Sequence, residues 1–257
     1  MNRINKKFNE LKKANKKALI TYITAGFPSI DKTEELIYAQ ERGGASFIEI
    51  GIPYSDPVAD GPIIQKAGEV ALKGGTNLEK IFKVVERVRK NTHIPLIFLV
   101  YYNTVFAYGI EKFISSCESI GIDGLIIPDL PLEEQEEIQP YIEGKSVALI
   151  PLVAPTSKHR IKKVVENKSG FVYCVSSLGV TGRGGEFHRE IEGFLNEVRA
   201  CTDLPIAVGF GISKKEHIDK LKNYADGIIV GSAIVSKVEE SNGCQEALEN
   251  FVRELSF

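Results

Sequence analysis

Two carboxylates lie in the stretch IEIGIPYSDPVADGP, residues 48–62, and their setting suggests proton-transfer chemistry. Glu49 lies between Ile48 and Ile50, although a glutamate is almost never fully buried without a partner. Asp60 follows in a proline-containing loop. A carboxyl group that is shielded from water has a raised pKa, which suits proton transfer near neutral pH. The pair therefore predicts general acid–base catalysis.

Each carboxylate also has a structural interpretation. Glu49 could form a buried salt bridge, but the apolar runs of this chain end without a lysine or arginine to pair with it. Asp60 could form an Asx-type turn before Gly61 and Pro62. The sequence favours function for Glu49 and leaves both interpretations open for Asp60.

The residue types that are missing argue against several other chemistries. No lysine lies in an apolar run, which argues against a Schiff-base aldolase. The histidines are far apart and have no ligand spacing, which argues against a zinc site; they are His93, His159, His188 and His217. No serine or cysteine has a histidine partner in a recognisable nucleophile motif. Acid–base work by carboxylates remains.

A second group of residues predicts a phosphate site. GFGIS (209–213) and GSAI (231–234) place Gly211, Gly231 and Ser232 after two consecutive apolar runs. Glycines let backbone N–H groups approach an anion, and the N-terminus of a helix favours negative charge. No GxxxxGK[ST] motif is present, so a P-loop nucleotide site is not indicated.

A third stretch, SSLGVTGRGGEF (176–187), is rich in glycine and serine. It surrounds Thr181 and Arg183. Such a composition is typical of a lid over a site or of a disordered connection, and the residues alone do not decide between them.

One repeating pattern must position these groups: short apolar runs, each followed by an amphipathic segment. The runs are 18–24, 46–51, 95–102, 123–129, 146–152, 171–177, 205–211 and 226–232. The predicted helices are 31–42, 62–72, 77–90, 111–119, 132–142, 157–166, 189–200, 214–221 and 244–255. Eight buried strands with helices between them predict a single (β/α)8 barrel domain over residues 1–257, and the missing GxGxxG argues against an open doubly wound sheet.

In such a barrel the catalytic groups lie at the carboxyl ends of the strands. Alternation places Phe47, Glu49 and Gly51 on one face of the second strand and the isoleucines on the other, so Glu49 should face the barrel interior. Asp123 and Asp226 open their strands and should be structural groups at the opposite end.

Composition sets the broad class. The chain has 257 residues, 43% hydrophobic and 26% charged, with a net charge of −2, so no overall field attracts nucleic acid. Its basic first seventeen residues carry Ile4, Phe8 and Leu11 on one helical face, which predicts an N-terminal capping helix rather than a membrane-surface helix or transit peptide. The four scattered cysteines fit a reducing cytoplasm, and no run is long enough to span a membrane.

The motifs together resemble the tryptophan synthase α subunit family. The resemblance rests on IEIGIPYSDPVADGP, TAGFP (24–28), YYNTVF (101–106), GVTG (179–182), GFGIS and GSAIV, in order, and covers essentially the whole chain. It implies a TIM barrel that cleaves indole-3-glycerol phosphate to indole and glyceraldehyde 3-phosphate. This retro-aldol reaction requires neither a Schiff base nor a metal, because the indole ring protonated at C3 accepts the electrons of the breaking bond.

The resemblance also implies roles for individual residues. Glu49 would handle the protons at C3 and at the glycerol hydroxyl, and Asp60 would stabilise positive charge on the indole nitrogen and take up its proton. Tyr173 would lie beside the substrate and Thr181 in the lid. The phosphate residues would be Gly182, Phe210, Gly211, Gly231 and Ser232. Tyr22, Ile64 and Leu99 would line the indole pocket, with Tyr22 in place of the family's phenylalanine.

The resemblance further implies an α2β2 complex with a β subunit that carries pyridoxal phosphate, and no cofactor in this chain.

The residues, taken without the resemblance, leave two rival functions open. A phosphosugar isomerase or decarboxylase would share the phosphate site, but would add a lysine or a second acid at other strand ends. A regulatory subunit that only binds a phosphate ligand would not need the Glu49–Asp60 pair.

Overall fold

The computed structural model describes residues 2–175, 184–209, 211–212 and 214–257. In these residues every strand belongs to one sheet, and every strand pair is parallel. The strands are β1 (Ala18–Thr24), β2 (Phe47–Gly51), β3 (Leu96–Leu99), β4 (Gly124–Ile126), β5 (Ala148–Leu149), β6 (Leu152–Val153), β7 (Val172–Val175), β8 (Ile206–Gly209) and β9 (Gly227–Val230). Their order is β5-β4-β3-β2-β1-β9-β8-β7-β6.

The two ends of this sheet meet within residues 148–153. The predicted fifth strand is divided in two: β5 pairs with β4, and β6 pairs with β7. Between them the N–H of Ile150 donates to the carbonyl of Leu125, and the carbonyl of Pro151 accepts from Tyr173, both at 2.9 Å. Pro151 has no N–H to donate, which interrupts the strand locally. The predicted (β/α)8 barrel, with eight strand positions, is confirmed.

Helices alternate with these strands. The helices of the described residues are α1 (Arg3–Lys13), α2 (Ile30–Gly43), α3 (Pro62–Lys73), α4 (Leu78–Arg89), α5 (Tyr102–Tyr108), α6 (Ile110–Ile120), α7 (Gln139–Ile142), α8 (Ile161–Val165), α9 (Gly184–Cys201), α10 (Lys215–Leu221), α11 (Ser232–Glu240) and α12 (Gln245–Leu255). Short 3₁₀ helices, Leu132–Glu137 and Pro155–Arg160, precede α7 and α8, where the sequence predicted single α-helices. None of these helices has the length and apolar character needed to cross a bilayer.

Two helices, α5 and α11, are absent from the sequence prediction. The run 95–102 was expected to be strand to its end, but β3 stops at Leu99 and α5 begins at Tyr102. The aromatic and β-branched residues of this run are typical of a strand. Both helices follow a strand at the carboxyl end of the barrel, so both border the candidate site.

Side chains of the second strand alternate as predicted. Phe47 packs in the barrel interior, whereas Ile48 and Ile50 pack in the layer between the sheet and the helices. This alternation places Glu49 on the interior face of β2.

Helix α1 closes the amino-terminal end of the barrel, which confirms the predicted capping helix. Ile4 and Phe8 are buried in the interior cluster. The Phe8 ring lies 4.6 Å from that of Phe47 and 5.7 Å from that of Phe171, measured between centroids. Burying one such ring stabilises the fold by about 1.5–3 kcal/mol.

The aspartates that open strands serve structure at the same end. Asp123 pairs with Arg3 at 2.9 Å and Arg89 at 2.6 Å, and accepts from the N–H of Leu96 at 2.9 Å. Asp226 pairs with Arg199 and accepts from the N–H of Ile206. Both carboxylates are therefore neutralised far from the mouth of the barrel, as predicted.

Candidate functional site

A cavity of about 520 Å³ lies at the carboxyl ends of the strands. It is lined by Tyr22, Glu49, Ala59, Asp60, Gly61, Ile64, Leu99, Ile126, Pro128, Leu152, Val153, Ala154, Ser157, Tyr173, Val175, Gly211, Ile229, Gly231 and Ser232. A larger concavity, of about 820 Å³, lies at the opposite end beside α1, but its lining includes no buried carboxylate. Glu49 and Asp60, which the sequence predicts to carry the chemistry, both line the smaller, carboxyl-end cavity.

Glu49 is the most unusual group in this cavity. Its side chain is only 1% exposed, and its Oε1 has no hydrogen-bond partner. No ion pair involves Glu49 in the part of the chain that the structure describes, so the salt-bridge interpretation has no support. Burial raises the pKa of the Glu49 carboxyl to about 8, which keeps it protonated at neutral pH. A buried acid that is unpaired and borders a cavity is available to give a proton to a ligand.

The loop between β2 and α3 brings Asp60 to the same cavity. The N–H of Asp60 donates to the carbonyl of Pro57 at 3.1 Å, and Gln65 on α3 donates to the Asp60 carbonyl at 2.9 Å. Helix α3 begins at Pro62 without a side-chain capping bond, so Asp60 is not its cap. Burial raises the pKa of Asp60 to about 6, while the Tyr101 phenol acts in the opposite direction. Asp60 is thus ionised at pH 7, where Glu49 is neutral.

Two tyrosines flank Glu49. Tyr22 is its register partner on β1, and Tyr173 extends from β7. A Cβ atom on Gly51 would lie 1.9 Å from the Tyr22 hydroxyl oxygen, and one on Gly209 would lie 2.8 Å from that of Tyr173. The two glycines therefore make room for the two rings. Burial raises the pKa of both phenols, so Glu49 has neutral neighbours on these strands.

The Tyr22 hydroxyl is accommodated within the protein. It lies 3.3 Å from Oγ1 of Thr24 on the same strand. This contact gives the phenol a hydrogen-bond partner, which a phenylalanine at this position would not need. Ile64 and Leu99 line the same cavity. An aromatic ligand would therefore meet apolar side chains there.

Three of the predicted phosphate-binding residues belong to the part of the chain that the structure describes: Gly211, Gly231 and Ser232. Gly231 is the N-cap of α11 and Ser232 is its first residue, and both line the cavity together with Gly211. The φ angle of Gly211 is +68°, a backbone conformation that residues with a side chain rarely adopt. The first N–H groups of a helix have no intrahelical partner and suit an anion. Thr181, Gly182 and Phe210 lie outside the described residues.

Sequence reasoning missed Tyr101. This residue follows β3, is 1% exposed, and accepts a hydrogen bond from the N–H of Ala59 at 3.0 Å. Its ring stacks on Tyr54 with centroids 5.0 Å apart and planes at 22°. Its position at a strand end could have marked it as a candidate site residue. No local sequence pattern showed that its hydroxyl would form a hydrogen bond with the loop that carries Asp60.

Comparison with known proteins places the chain among relatives of one kind. The family model described as "Tryptophan synthase alpha chain" matches residues 8–256. A tryptophan synthase alpha chain from Alkaliphilus metalliredigens is 51% identical over 99% of this chain and 97% of its own length. The crystal structure of tryptophan synthase subunit alpha from Legionella pneumophila superposes with a TM-score of 0.91 at 32% identity, covering 99% of this chain and 97% of that one. A chain in the tryptophan synthase complex from Pyrococcus furiosus gives a TM-score of 0.83 at 32% identity, covering 93% and 97%.

Proposed function

Because this chain belongs to the tryptophan synthase alpha chain family, we propose that Glu49 and Asp60 divide between them the proton transfers of its reaction. The reaction is the cleavage of indole-3-glycerol phosphate to indole and glyceraldehyde 3-phosphate, a carbon–carbon lyase step in tryptophan biosynthesis. One observation carries the division of roles: a neutral buried acid and an ionised carboxylate border the same cavity.

Glu49 acts first as an acid and then as a base. Its carboxyl proton is transferred to C3 of the indole ring, which leaves a cationic indoleninium. The resulting carboxylate then removes the proton of the glycerol hydroxyl. The O–H electrons form the aldehyde C=O, the C–C bond breaks, and its electrons restore the aromatic ring. Glu49 ends protonated, as it began, so no external acid is consumed.

Asp60 stabilises the positive charge that develops at the indole nitrogen. A carboxylate with a pKa of about 6 is ionised at pH 7, so it can accept the N–H proton of the indoleninium and return it when the ring becomes aromatic again. The indole ring itself occupies the apolar part of the cavity between Tyr22, Ile64 and Leu99.

The phosphate group anchors the other end of the substrate. Gly231 and Ser232 supply backbone N–H groups and a hydroxyl at the start of α11, and Gly211 supplies a backbone N–H from the loop after β8. Gly182 and Phe210 complete this assignment, with Thr181 in the lid and Tyr173 beside the reacting carbon. A cavity of about 520 Å³ lies within the range of roughly 300–1,000 Å³ that is usual for small-molecule sites.

The role of Asp60 is tested with a matched pair of variants. Asp60→Asn keeps the shape of the side chain but removes its charge, and we expect turnover to fall about 10²-fold or more. Asp56→Asn changes an exposed aspartate of the same loop, whose carboxylate accepts from Ser55 at 2.5 Å, and should leave turnover of the isolated chain unchanged. Indole released from indole-3-glycerol phosphate is the readout. Equal turnover in the two variants would remove Asp60 from the mechanism.

The partner is a tryptophan synthase β subunit, which we place in an α2β2 complex and which carries the pyridoxal phosphate. None of the described residues that line the cavity is a lysine, and we therefore assign the cofactor's Schiff base to the partner. The two most exposed large apolar side chains of the described residues are Val58 on the Asp60 loop (84% exposed) and Phe106 on α5 (62%). Their segments are joined by the Tyr101–Ala59 hydrogen bond, so this is the surface that we assign to the partner.

A further inference from the structure

One tyrosine of the barrel contacts the loop that carries Asp60 at two places. Tyr101 is buried two residues after the end of β3, at the N-cap position of α5. It contacts the loop twice: its ring stacks on Tyr54, near the beginning of the loop, and its hydroxyl oxygen accepts from the N–H of Ala59, next to Asp60. Both contacts come from a residue that is not among the described residues lining the cavity.

The hydroxyl of Tyr101 can also donate a hydrogen bond. A phenol carries one donor hydrogen and two acceptor lone pairs, so accepting from Ala59 leaves its O–H free to donate. Asp60 follows Ala59 in the chain, and its carboxylate can accept this hydrogen bond. The phenol lowers the pKa of Asp60 and so favours the ionised form of the carboxylate. Donation to an ionised group is about twice as strong as an ordinary hydrogen bond.

We propose that Tyr101 is the positioning residue for Asp60: its ring and its accepted hydrogen bond hold the loop, and its O–H orients the carboxylate toward the indole nitrogen. This inference rests on the role proposed above for Asp60. It assigns to Tyr101 no contact with the substrate and no proton of its own, because burial raises the pKa of its phenol far above neutrality.

Other titratable groups face the same region and set the background. Tyr22 on β1, Glu49 on β2 and Tyr173 on β7 border the cavity with Asp60, and Asp129 after β4 acts on Tyr101. The tyrosines and Glu49 stay protonated at pH 7, as their raised pKa values indicate. Removing the Tyr101 hydroxyl therefore changes one stabilising contact of ionised Asp60, and the pKa of Asp60 should rise.

The test is Tyr101→Phe, with Tyr102→Phe as its control. The first variant keeps the ring and its stacking, whereas the second removes a hydroxyl that donates to Glu137 at 2.5 Å on an exposed side of α5. For Tyr101→Phe we expect kcat to fall about tenfold, KM to change less than twofold, and the acidic limb of the kcat profile to move to higher pH. Tyr102→Phe should match the wild type. An unshifted limb with wild-type kcat in Tyr101→Phe would overturn the proposal.

A double variant separates this proposal from the one on which it rests. If Tyr101 acts through Asp60, Tyr101→Phe should cause no further loss in an Asp60→Asn background. If the losses multiply, Tyr101 acts by another route and the inference is wrong. Full activity of Asp60→Asn alone would instead reject the proposed role of Asp60.

A second variant tests the proposal if Tyr101→Phe does not fold. Tyr54→Leu removes the stacking contact and leaves the Tyr101 hydroxyl in place. It should lower kcat and leave the acidic limb where the wild type has it. A wild-type kcat in this variant would show that the loop does not depend on Tyr101.

Discussion

Glu49 combines properties that favour catalysis and oppose stability. A carboxyl group that is 1% exposed and has an unpartnered oxygen is held in an environment that disfavours its charge. The same environment sets its pKa at about 8 and makes it an acid at neutral pH. The protein thus keeps at the candidate site a group that the stability of the fold alone would not select.

This conflict predicts that Glu49→Gln is more stable than the wild type at high pH. Because the folded pKa, about 8, lies above the ordinary value of 4.5, the unfolded chain releases this proton from about pH 4.5 upward while the folded protein keeps it. The contribution of Glu49 to stability therefore falls as pH rises from about 4.5 to 8, and then levels off. Glutamine has no such dependence, so the variant's advantage should grow over this range to on the order of 4–5 kcal/mol, at about 1.4 kcal/mol for each pH unit between the two pKa values. Denaturant unfolding at pH 5 and pH 8 measures it, and a difference that does not change with pH would contradict the assignment.

At the residue scale, the sequence identified the groups whose setting is local. Glu49 was recognisable because a carboxylate inside an apolar run is costly and no lysine accompanied it. Gly231 and Ser232 were recognisable because the short motif GSAI directly follows an apolar run. Tyr101 was missed because its importance depends on a contact with Ala59, 42 positions away. Contacts of that range are set by the barrel and leave no trace in a local pattern.

At the scale of elements, α1 acts as the base of the barrel. Phe8 fills the interior between Phe47 and Phe171. We predict that Phe8→Ala lowers the free energy of unfolding by about 3–5 kcal/mol, the usual cost of removing a buried phenylalanine ring. Lys12→Ala, on an exposed position of the same helix, should change it by less than about 0.5 kcal/mol. Denaturant unfolding compares the two, and similar values would mean that α1 does not close the core.

The elements themselves were largely predictable, and the exceptions have physical reasons. All eight apolar runs contain strands, because each is covered on both faces and needs no polar alternation. The fifth run is divided because Pro151 cannot donate to the ladder. The helices α5 and α11 were missed because their β-branched and aromatic residues fit strands as well as helices, and tertiary packing made the choice.

At the scale of the whole molecule, the exposed apolar surface that we assign to the β subunit would connect catalysis to assembly. Ordering a loop costs on the order of 1 kcal/mol per residue, so a partner that holds the Asp60 loop raises the competent fraction. We predict that the β subunit increases turnover at least about tenfold, equivalent to roughly 1.4 kcal/mol of coupling. Indole release at saturating substrate, with and without the β subunit, measures this effect.

Matched variants locate the surface responsible. Phe106→Glu should keep the turnover of the isolated chain and lose the stimulation, because it places a charge on an apolar contact. Tyr224→Glu changes an aromatic residue of similar chemistry that is 37% exposed at the other end of the barrel, and should retain both. Full stimulation of Phe106→Glu would show that the partner binds elsewhere.

The most direct test is kcat/KM for indole release as a function of pH, in the wild type and in Glu49→Gln. The wild-type profile should rise through about pH 6 as Asp60 ionises and fall through about pH 8 as Glu49 loses its proton. Glu49→Gln should remain folded and lose about 10²–10⁴-fold in activity at pH 7, because an amide keeps the shape of the acid and cannot transfer its proton. Near-wild-type activity in Glu49→Gln, or a wild-type profile with no descending limb near pH 8, would contradict the role of Glu49 as the neutral acid of this site.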